Sequence, residues 1–281
     1  MKTESEIFFR EFLLDQNRFL RLDGVNRLRI SEKKHWSDFW DASGDVSDVY
    51  DNEGRVSKHF STIRDFMGIK ILEVGAGTGR DGIYMSRQGA MVVSLDYSLS
   101  SLKMIRGQVS ERDNVGLCCA DAFSLPFMEG TFDLVFHQGL LEHFRNPEDM
   151  ISEHHRVLKR GGHILVDVPQ RWHYYTLIKH LFIMIGKWFA GWETEFSPRE
   201  LENLLKESSF EIIKTYGEWL NPPIWFRILR KAIMPVGIRL PMYPAIFTVS
   251  RRIFSGFRDR ILGVRLALYF TVVTGSIAKK V

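Results

Sequence analysis

Ile71-Leu72-Glu73-Val74-Gly75-Ala76-Gly77-Thr78-Gly79-Arg80 is the stretch that decides the fold of this 281-residue chain. It begins as a short apolar run suited to a buried strand. Three glycines then alternate with other residues, and a segment that favours a helix follows. A strand, a tight turn and a helix in this order present backbone amides at a helix N-terminus, with no side chains in the way. The sequence therefore predicts a nucleotide-type cofactor site at this turn.

The spacing of the glycines indicates which cofactor to expect. In the dinucleotide fingerprint G-x-G-x-x-G, glycines at positions 75 and 77 require a third at position 80, which is Arg80 in this chain. The pattern is instead Glu73-x-Gly75-x-Gly77-x-Gly79. It resembles motif I of the class I S-adenosylmethionine-dependent methyltransferases. That resemblance implies S-adenosylmethionine as the cofactor.

The composition is that of a globular protein, with 45% hydrophobic and 26% charged residues. The two cysteines, Cys118 and Cys119, are adjacent in a predicted strand, so they indicate neither a disulfide framework nor a zinc site. Residues 1–10 lack the apolar run of a signal peptide, and no uncharged apolar run reaches the roughly 18 residues of a spanning helix. We therefore expect a cytoplasmic protein without a metal site.

Strands and helices alternate regularly from residue 70 onward, which predicts right-handed crossovers and a parallel sheet. Strands are predicted at 70–74, 91–96, 115–120, 132–137, 163–168, 210–216 and 267–277, and helices at 81–88, 99–108 and 147–158. Residues 159–162, with two glycines, are expected to end the last of these helices. The family resemblance implies an α/β fold, a Rossmann-like, doubly wound, mostly parallel seven-stranded sheet with a reversed last strand.

We divide the chain into two regions. Residues 1–68 are predicted to form an N-terminal helical arm or lid, and residues 69–281 the S-adenosylmethionine-binding domain, with insertions at 171–195 and 221–265. In the resembling family such an arm often folds over the cofactor pocket, which makes Tyr50 a candidate contact. The alternative is that the aromatic residues of the arm cap one edge of the sheet.

Asp96 and Asp121 each follow or end a predicted strand. The carboxylate of Asp96 suits both hydroxyls of a ribose, although the same residue also suits a helix N-cap. By resemblance, Tyr97 lies near the adenine and Asp121 contacts its amino group. Because the carboxyl ends of parallel strands meet at the switch point of the sheet, these residues share one site. The predicted cofactor contacts are Glu73, Gly75, Ala76, Gly77, Gly79, Asp96, Tyr97, Asp121, Ala122, Phe123, His137 and Gln138.

Histidines near the predicted pocket are the candidate bases. Methyl transfer from a sulfonium mainly requires alignment of the acceptor with the methyl group, but a hydroxyl acceptor also needs a base active near neutral pH. The candidates, in order of preference, are His143, His173 and His137. Glu142 and His143 are equally ordinary for the first turn of a helix.

The segment after the fourth strand, residues 137–144, lacks the Asn/Asp-Pro-Pro-Tyr motif of enzymes that methylate a planar nitrogen. Its Leu141-Glu142-His143 run resembles the small-molecule and lipid methyltransferases, including those of ubiquinone and menaquinone biosynthesis. The resemblance therefore implies methylation of a hydrophobic small molecule or lipid precursor at oxygen or carbon.

The insertions differ in character from the rest of the chain. Residues 222–265 contain nine basic residues and one acid, a net charge of +8, whereas the whole chain carries +4. A helix starting at Asn221-Pro222 and another over 246–262 are predicted to place large apolar residues opposite arginines. Such helices suit an anionic membrane surface, a lid with solvated basic faces, or nucleic acid.

Three functions remain open from the sequence. The leading one is a methyltransferase acting on a hydrophobic small molecule or lipid precursor, with an anionic membrane surface as a candidate partner and a peripheral location on it. The second is RNA or protein methylation that uses the basic segment. Interleaving of its basic residues with large aliphatics disfavours nucleic acid. The third is a non-catalytic S-adenosylmethionine-binding protein.

Overall fold

The computed structural model describes residues 33–42, 50, 54–186, 188 and 193–281. Most of the predicted N-terminal arm lies outside these residues, as do Trp192 and its neighbours in the first insertion. Seven strands form one sheet. They are β1 (Lys70–Val74), β2 (Met91–Asp96), β3 (Val115–Cys119), β4 (Phe132–Gln138), β5 (Leu158–Pro169), β6 (Phe210–Glu218) and β7 (Val273–Lys280).

Helices connect the strands and cover both faces of the sheet. The α-helices are α1 (Lys33–Ala42), α2 (Arg55–Phe60), α3 (Arg80–Arg87), α4 (Leu99–Arg106), α5 (Glu148–Val157), α6 (Tyr174–Met184), α7 (Pro198–Glu207), α8 (Ile224–Ile233), α9 (Ala245–Ile253) and α10 (Ser255–Leu262). Short 3₁₀ helices lie at Leu141–His143, Met234–Val236 and Arg265–Phe270.

The strand order across the sheet is β3-β2-β1-β4-β5-β7-β6. Strands β1 to β5 pair in parallel, and β7 is antiparallel to both of its neighbours, β5 and β6. This arrangement confirms the predicted Rossmann-like sheet with a reversed last strand. Because β7 runs against β5 and β6, those two strands point the same way and end at the same edge as the glycine turn.

The hydrophobic core lies on both faces of the sheet. Alternate residues of β1 divide between them: Leu72 and Val74 pack into one apolar cluster, and Ile71 packs into the other with Ile69 just before the strand. All six residues of β2 are buried, as expected for a strand covered on both sides. Packing on two faces fixes the register of the strands and so places their carboxyl ends at one edge.

Two predicted strand boundaries were wrong. Residues 159–162 do not end a helix but lie inside β5, which starts at Leu158 beside Phe132 and resumes regular pairing at His163 after an irregular step. The last strand starts at Val273, not at residue 267. The residues before it form a 3₁₀ helix because Leu268 is buried and the Gln170 side chain donates a hydrogen bond to the Tyr269 carbonyl.

The insertions are helical, but their helix boundaries differ from those predicted. Helix α8 starts at Ile224 with Pro223 as its N-cap residue, so the predicted start at Asn221-Pro222 was wrong. Residues 246–262, predicted as one helix, are divided between α9 and α10. Tyr175 of the first insertion packs in one apolar cluster with Ile224 of the second. The two insertions therefore meet above the carboxyl edge of the sheet.

Candidate active site

A cavity of about 400 Å³ opens at the carboxyl edge of the sheet, within the size range of small-molecule sites. Its floor is formed by the glycine turn and by the ends of β2, β4 and β5. Helix α1 and Tyr50 contribute to one side, and residues of both insertions contribute to the other. The cavity therefore lies at the predicted position, the switch point of a doubly wound sheet.

The turn after β1 has a backbone shape that favours glycine. Gly75, Gly77 and Gly79 have φ values of +64°, +54° and +65°. A Cβ atom on Gly75 would lie 2.9 Å from the Leu140 side chain, and one on Gly77 would lie 2.9 Å from the indole of Trp40. Side chains are thus excluded where a ligand must approach the backbone closely. This turn fits the nucleoside part of S-adenosylmethionine.

The Asp96 carboxylate is buried at the end of β2 and faces the cavity. One oxygen accepts hydrogen bonds from the Gly77 N–H and the Ser101 hydroxyl, both at 3.0 Å, and the other accepts from the Ser98 N–H at 2.8 Å. Ser98, not Asp96, is the N-cap residue of α4, which decides between the two predicted roles. Burial raises the pKa of Asp96, and the hydrogen bonds oppose that shift. Each carboxylate oxygen has two acceptor positions; Gly77 and Ser101 fill both on one oxygen, so the other oxygen is the one placed to accept from a ribose hydroxyl.

Seven of the predicted cofactor contacts line the cavity. They are Gly75, Ala76, Gly77, Asp96, Tyr97, Ala122 and Gln138. Gly79 lies just beyond the cavity wall as the N-cap residue of α3 and packs against Ile105. The turn, β2 and β4 thus bring together residues that are more than 60 positions apart in sequence.

Three other predicted contacts support the site from behind. The carboxylate of Glu73 accepts a 2.7 Å hydrogen bond from the Ser94 hydroxyl, and burial raises its pKa to about 8. Asp121 accepts a 3.0 Å hydrogen bond from the Phe123 N–H, which shapes the turn after β3. The Phe123 ring is buried against the edge of Phe144. None of the three lines the main cavity, and their direct contact with the cofactor stays a prediction.

Of the three candidate bases, His143 lines the cavity. It lies in the 3₁₀ turn after β4, is buried, and contacts the Trp36 ring of α1 edge-on with 4.7 Å between ring centroids. The strand end, the turn and the aromatic helix together fix the position of its imidazole. His143 is therefore placed to contact an acceptor in the cavity.

His137 and His173 have other surroundings, and their roles as bases stay predictions. The His137 ring is buried against His154 with 5.3 Å between centroids, and burial lowers its pKa well below the usual value. The Nδ1 atom of His173 accepts a 3.1 Å hydrogen bond from the Tyr175 N–H and so caps α6. Neither lines the cavity. His137 was also predicted to contact the cofactor, and that contact stays a prediction.

Glu142 is a cavity residue that sequence reasoning left undecided. It is buried, and its Oε2 atom has no hydrogen-bond partner within the described part of the chain. Burial, together with the nearby Glu193 carboxylate, raises the pKa of Glu142 well above the usual value. Glu193 is itself paired at 2.9 Å with Lys179, whose side chain is fully buried. The Glu142 carboxyl is thus held in a low-dielectric position where it readily retains a proton.

Distant parts of the chain supply further lining residues that the sequence analysis did not assign. Arg55 and Asp167 form a buried ion pair at 2.9 Å between the start of α2 and the end of β5. Arg227 of α8 lies over the Tyr50 ring, 4.0 Å from its centroid. The aromatic run at residues 36–40 and the Tyr50 position were the signals available in the sequence, and no local pattern marks Arg55, Asp167 or Arg227 as neighbours.

Two kinds of feature are absent from the described ranges, a metal-binding cluster and a membrane-spanning helix. Among residues 33–42, 50, 54–186, 188 and 193–281, no cluster of three or more His, Cys, Asp or Glu side chains is arranged to hold a metal ion. Within the same residues, none of the helices has the length and apolar character needed to cross a membrane.

Comparisons with known proteins agree with this geometry. Residues 72–166 match the family described as "Methyltransferase domain". The ubiquinone biosynthesis O-methyltransferase of Parvibaculum lavamentivorans is 24% identical over 182 residues, which cover 60% of this chain and 70% of that protein. The demethylmenaquinone methyltransferase of Clavibacter sepedonicus is 36% identical over 99 residues, covering 35% of this chain and 40% of that protein.

A solved structure extends the likeness of fold to nearly the whole chain. Magnesium protoporphyrin IX methyltransferase from Synechocystis PCC 6803, determined with bound SAH, superposes with a TM-score of 0.54 at 13% identity and covers 99% of this chain and 100% of that one. The glycine turn, the Asp96 carboxylate and the matched methyltransferase domain lead to one assignment. Residues 72–166 are a methyltransferase domain, the chain has the fold of the class I S-adenosylmethionine-dependent methyltransferases, and S-adenosylmethionine is the cofactor of this domain.

Proposed function

We propose that this enzyme transfers a methyl group to an oxygen or carbon of a hydrophobic small molecule, with a quinone-type aromatic ring as the acceptor. The observation that carries the proposal is the composition of the cavity. Beyond the glycine turn and Asp96, it is lined by Trp36, Tyr175 and Trp188, together with the aliphatic residues Leu220, Val272 and Val273 on either side of the second insertion. A flat, apolar ring is the kind of acceptor that such walls favour.

The names of the relatives support the same acceptor class. One acts in ubiquinone biosynthesis as an O-methyltransferase, and the other is a demethylmenaquinone methyltransferase. The acceptor atom is an oxygen or a carbon for two reasons. His143 in the Leu141–His143 turn can accept a proton from the acceptor, and the motif that holds a planar nitrogen is absent from residues 137–144.

The chain's own residues hold the two reactants. The turn at Gly75–Gly77 presents backbone atoms to the nucleoside of the cofactor, and Asp96 accepts a hydrogen bond from its ribose. Tyr97 and Ala122 border its adenine ring. S-adenosylmethionine supplies the methyl group as an electrophilic sulfonium. The Asp96 carboxylate places an acidic group beside a cofactor that is cationic at sulfur, and the aromatic walls exclude water from the acceptor.

His143 is the proposed base for a hydroxyl acceptor. Its imidazole reaches the cavity from the turn after β4, beside the Glu142 carboxyl. Removal of the hydroxyl proton raises the nucleophilicity of the oxygen, and positioned bases of this kind contribute about 10²–10⁴ in rate. Glu142 is the preceding residue and also lines the cavity, so the charge on its carboxyl group affects how readily His143 accepts that proton.

A labelled-methyl assay tests the proposal. The enzyme is incubated with methyl-labelled S-adenosylmethionine and, in parallel, a hydroxylated benzoquinone or naphthoquinone with a prenyl tail, a bacterial lipid extract, total RNA, and unfolded protein. We expect label in the quinone and lipid fractions, and a loss of about 10²-fold or more in kcat for His143→Gln with unchanged cofactor affinity. The matched control His173→Gln alters a histidine that lies outside the cavity and retains activity.

Label in RNA or protein, with none in the lipid fractions, would contradict the proposal. The contacts of the basic segment disfavour that outcome. Arg227, Arg230 and Arg265 bond to groups of this chain: the Pro222 carbonyl, the Leu240 carbonyl and the Glu202 carboxylate. These three arginines are engaged within the chain, and the exposed cations that remain in the segment are interleaved with large apolar residues, which suits a polyanion poorly.

A further inference from the structure

Helix α6 buries its charged side chain and exposes large apolar ones, the reverse of the usual pattern for a helix on a water-facing surface. Its lysine, Lys179, has no exposed area and is paired with Glu193 at 2.9 Å and Glu195 at 2.7 Å. Its large apolar side chains point outward instead: Leu177 is 74% exposed and Met184 is 76% exposed. Long charged side chains are rarely buried while aliphatic ones on the same helix are exposed. This distribution suggests an apolar environment outside the helix.

The second insertion shows the same outward apolar character. In α9, Ile246, Val249 and Ile253 follow a helical spacing and are more than half exposed, while Phe247 turns inward against Phe226 with 5.1 Å between ring centroids. Phe254 and Phe257 extend the exposed apolar surface into α10. Helix α9 therefore already has an inner packing face, and its outer stripe is a second apolar face.

These exposed residues are concentrated and not scattered. Among the residues that the structure describes, 28 large hydrophobic side chains are exposed, and 22 of them lie within residues 172–185 and 225–270. Single exposed apolar residues are normal on a protein surface, whereas a contiguous concentration marks an interaction site. We call these two segments together the basic apolar face.

Cations accompany the apolar residues. Lys231, Arg239, Arg252 and Arg260 are exposed, and none pairs with a carboxylate among the described residues. The sequence of the two segments contains one acid, Asp259. An amphipathic surface with aromatic and aliphatic residues beside such cations is complementary to a bilayer that contains anionic lipids, because each cation near the headgroups is attracted by them.

We propose that the basic apolar face docks on an anionic lipid bilayer, with α6, α9 and α10 lying in the plane of the interface. The face is continuous with the active-site cavity, since Tyr175 and Trp188 of the first insertion and Arg227 of the second line that cavity. The bilayer contact thus lies beside the entrance for a membrane-dissolved acceptor. The proposal goes beyond the proposed function and holds without it, because docking requires no methyl acceptor.

Vesicle co-sedimentation of the full chain without acceptor tests this proposal. We expect binding to phosphatidylcholine vesicles that contain phosphatidylglycerol, weaker binding to pure phosphatidylcholine vesicles, and a decline as salt concentration rises. Met184→Glu lowers the partition coefficient at least about tenfold, since a carboxylate then faces the bilayer. The matched control Met128→Glu leaves it unchanged, because Met128 is 64% exposed but lies before β4, at the opposite edge of the sheet.

Two double charge-reversal variants provide a second comparison. Lys231→Glu with Arg252→Glu weakens binding to the anionic vesicles about tenfold or more, whereas Arg106→Glu with Arg112→Glu, on the far side of the sheet, does not. Three outcomes overturn the proposal. They are equal binding by the Met184 and Met128 variants, dimers in lipid-free solution that Met184→Glu dissociates, and a loss of unfolding stability specific to Met184→Glu. The last two results show that protein already covers the face.

Discussion

Glu142 and His143 are consecutive residues of one 3₁₀ turn, and both side chains reach the cavity. Their environments differ. Glu142 is buried beside Glu193, which raises its pKa, while His143 contacts the Trp36 ring. A carboxyl that retains its proton beside a histidine supplies a pH-dependent charge next to the proposed base. The behaviour of this pair is therefore set by residues from the first insertion and not by the turn alone.

Replacing Glu193 tests the electrostatic part of this arrangement. Glu193→Gln removes a negative charge that raises the pKa of Glu142, so that pKa falls. Any limb of the kcat/KM profile that reports Glu142 then shifts to lower pH. Lys179→Met removes a positive charge that lowers the same pKa, and the limb shifts to higher pH. The measurement is the pH profile of kcat/KM for both variants. Shifts in the same direction would contradict the assignment.

Glu73 provides a prediction about stability at the same scale. Its pKa is about 8 in the folded protein against a usual value of 4.5, so the protonated form is the one that folding favours. The stability it contributes is complete below pH 4.5 and is lost as pH rises through 8. In the Glu73→Gln variant the side chain is neutral at every pH and still accepts the hydrogen bond from Ser94, so its stability does not fall as pH rises. Its unfolding free energy relative to the parent rises by a few kcal/mol from pH 5 to pH 9.

Urea denaturation of both proteins at several pH values provides the measurement for Glu73. Asp121→Asn is a suitable comparison, since Asp121 is also a buried carboxyl behind the site and accepts one backbone hydrogen bond. A stability difference for Glu73→Gln that stays constant from pH 5 to pH 9 would contradict the argument.

At the scale of elements, helix α1 covers the glycine turn. The Trp40 ring lies 2.9 Å from the position of a Cβ atom on Gly77. Gly77→Ala therefore introduces two costs: a clash with the indole, and about 1–2 kcal/mol for an L-residue at positive φ. In a Trp40→Ala background the clash is removed and the backbone cost remains. We expect Gly77→Ala to weaken S-adenosylmethionine binding more in the parent than in the Trp40 variant.

Calorimetric titration of the four proteins in this double-mutant cycle gives the coupling energy directly. Phe39→Ala, on the same helix, serves as the comparison because Phe39 lines the cavity but is not among the groups within 4 Å of a Cβ on Gly77. Additive effects of Gly77→Ala and Trp40→Ala would show that the helix does not restrict the turn.

Elements also show what the sequence predicts well. Strands β1 and β2 have the predicted bounds because each is a short apolar run limited by turn residues. The start of β5 was missed because its first residues pair with β4 across an irregular step, which leaves no local signal. The start of β7 was missed because the apolar residues around Leu268, which resemble a strand in sequence, form a 3₁₀ helix in which Leu268 is buried.

The residues of the candidate site also include some whose positions the sequence predicts and some whose positions it does not. Asp96, Tyr97 and Ala122 could be placed at the cavity because strand ends of a doubly wound sheet converge by topology. The surroundings of His137 and His173 could not be predicted because the direction of a side chain depends on packing: one faces the core beside His154, and the other caps its own helix. The Arg55–Asp167 pair joins residues 112 positions apart, which no pattern within a single sequence indicates.

At the scale of the whole molecule, the cofactor half and the face proposed for membrane contact are separable. Residues 234–262 contain none of the residues that line the cavity, yet they include α9 and α10. Replacing this segment by a flexible Gly/Ser linker should leave the affinity for S-adenosylmethionine within about twofold. It should also reduce binding to anionic vesicles at least about tenfold, since three of the four exposed cations are removed.

Calorimetry and vesicle co-sedimentation on that replacement variant measure the two properties independently. Its thermal unfolding, compared with the parent, verifies that the sheet is intact. Loss of cofactor affinity in a folded variant would show that the second insertion supports the glycine turn, and would contradict the separation.

The antiparallel direction of β7 has an evolutionary consequence. Strand β6 ends and β7 begins at the same edge, so a segment of any length between them departs and returns without crossing the sheet. Lineages can lengthen, shorten or exchange that segment while the strands that bind the cofactor keep their register. Changes in acceptor preference can therefore accumulate through one contiguous stretch of gene, and recombination there can produce new enzymes from the same catalytic half.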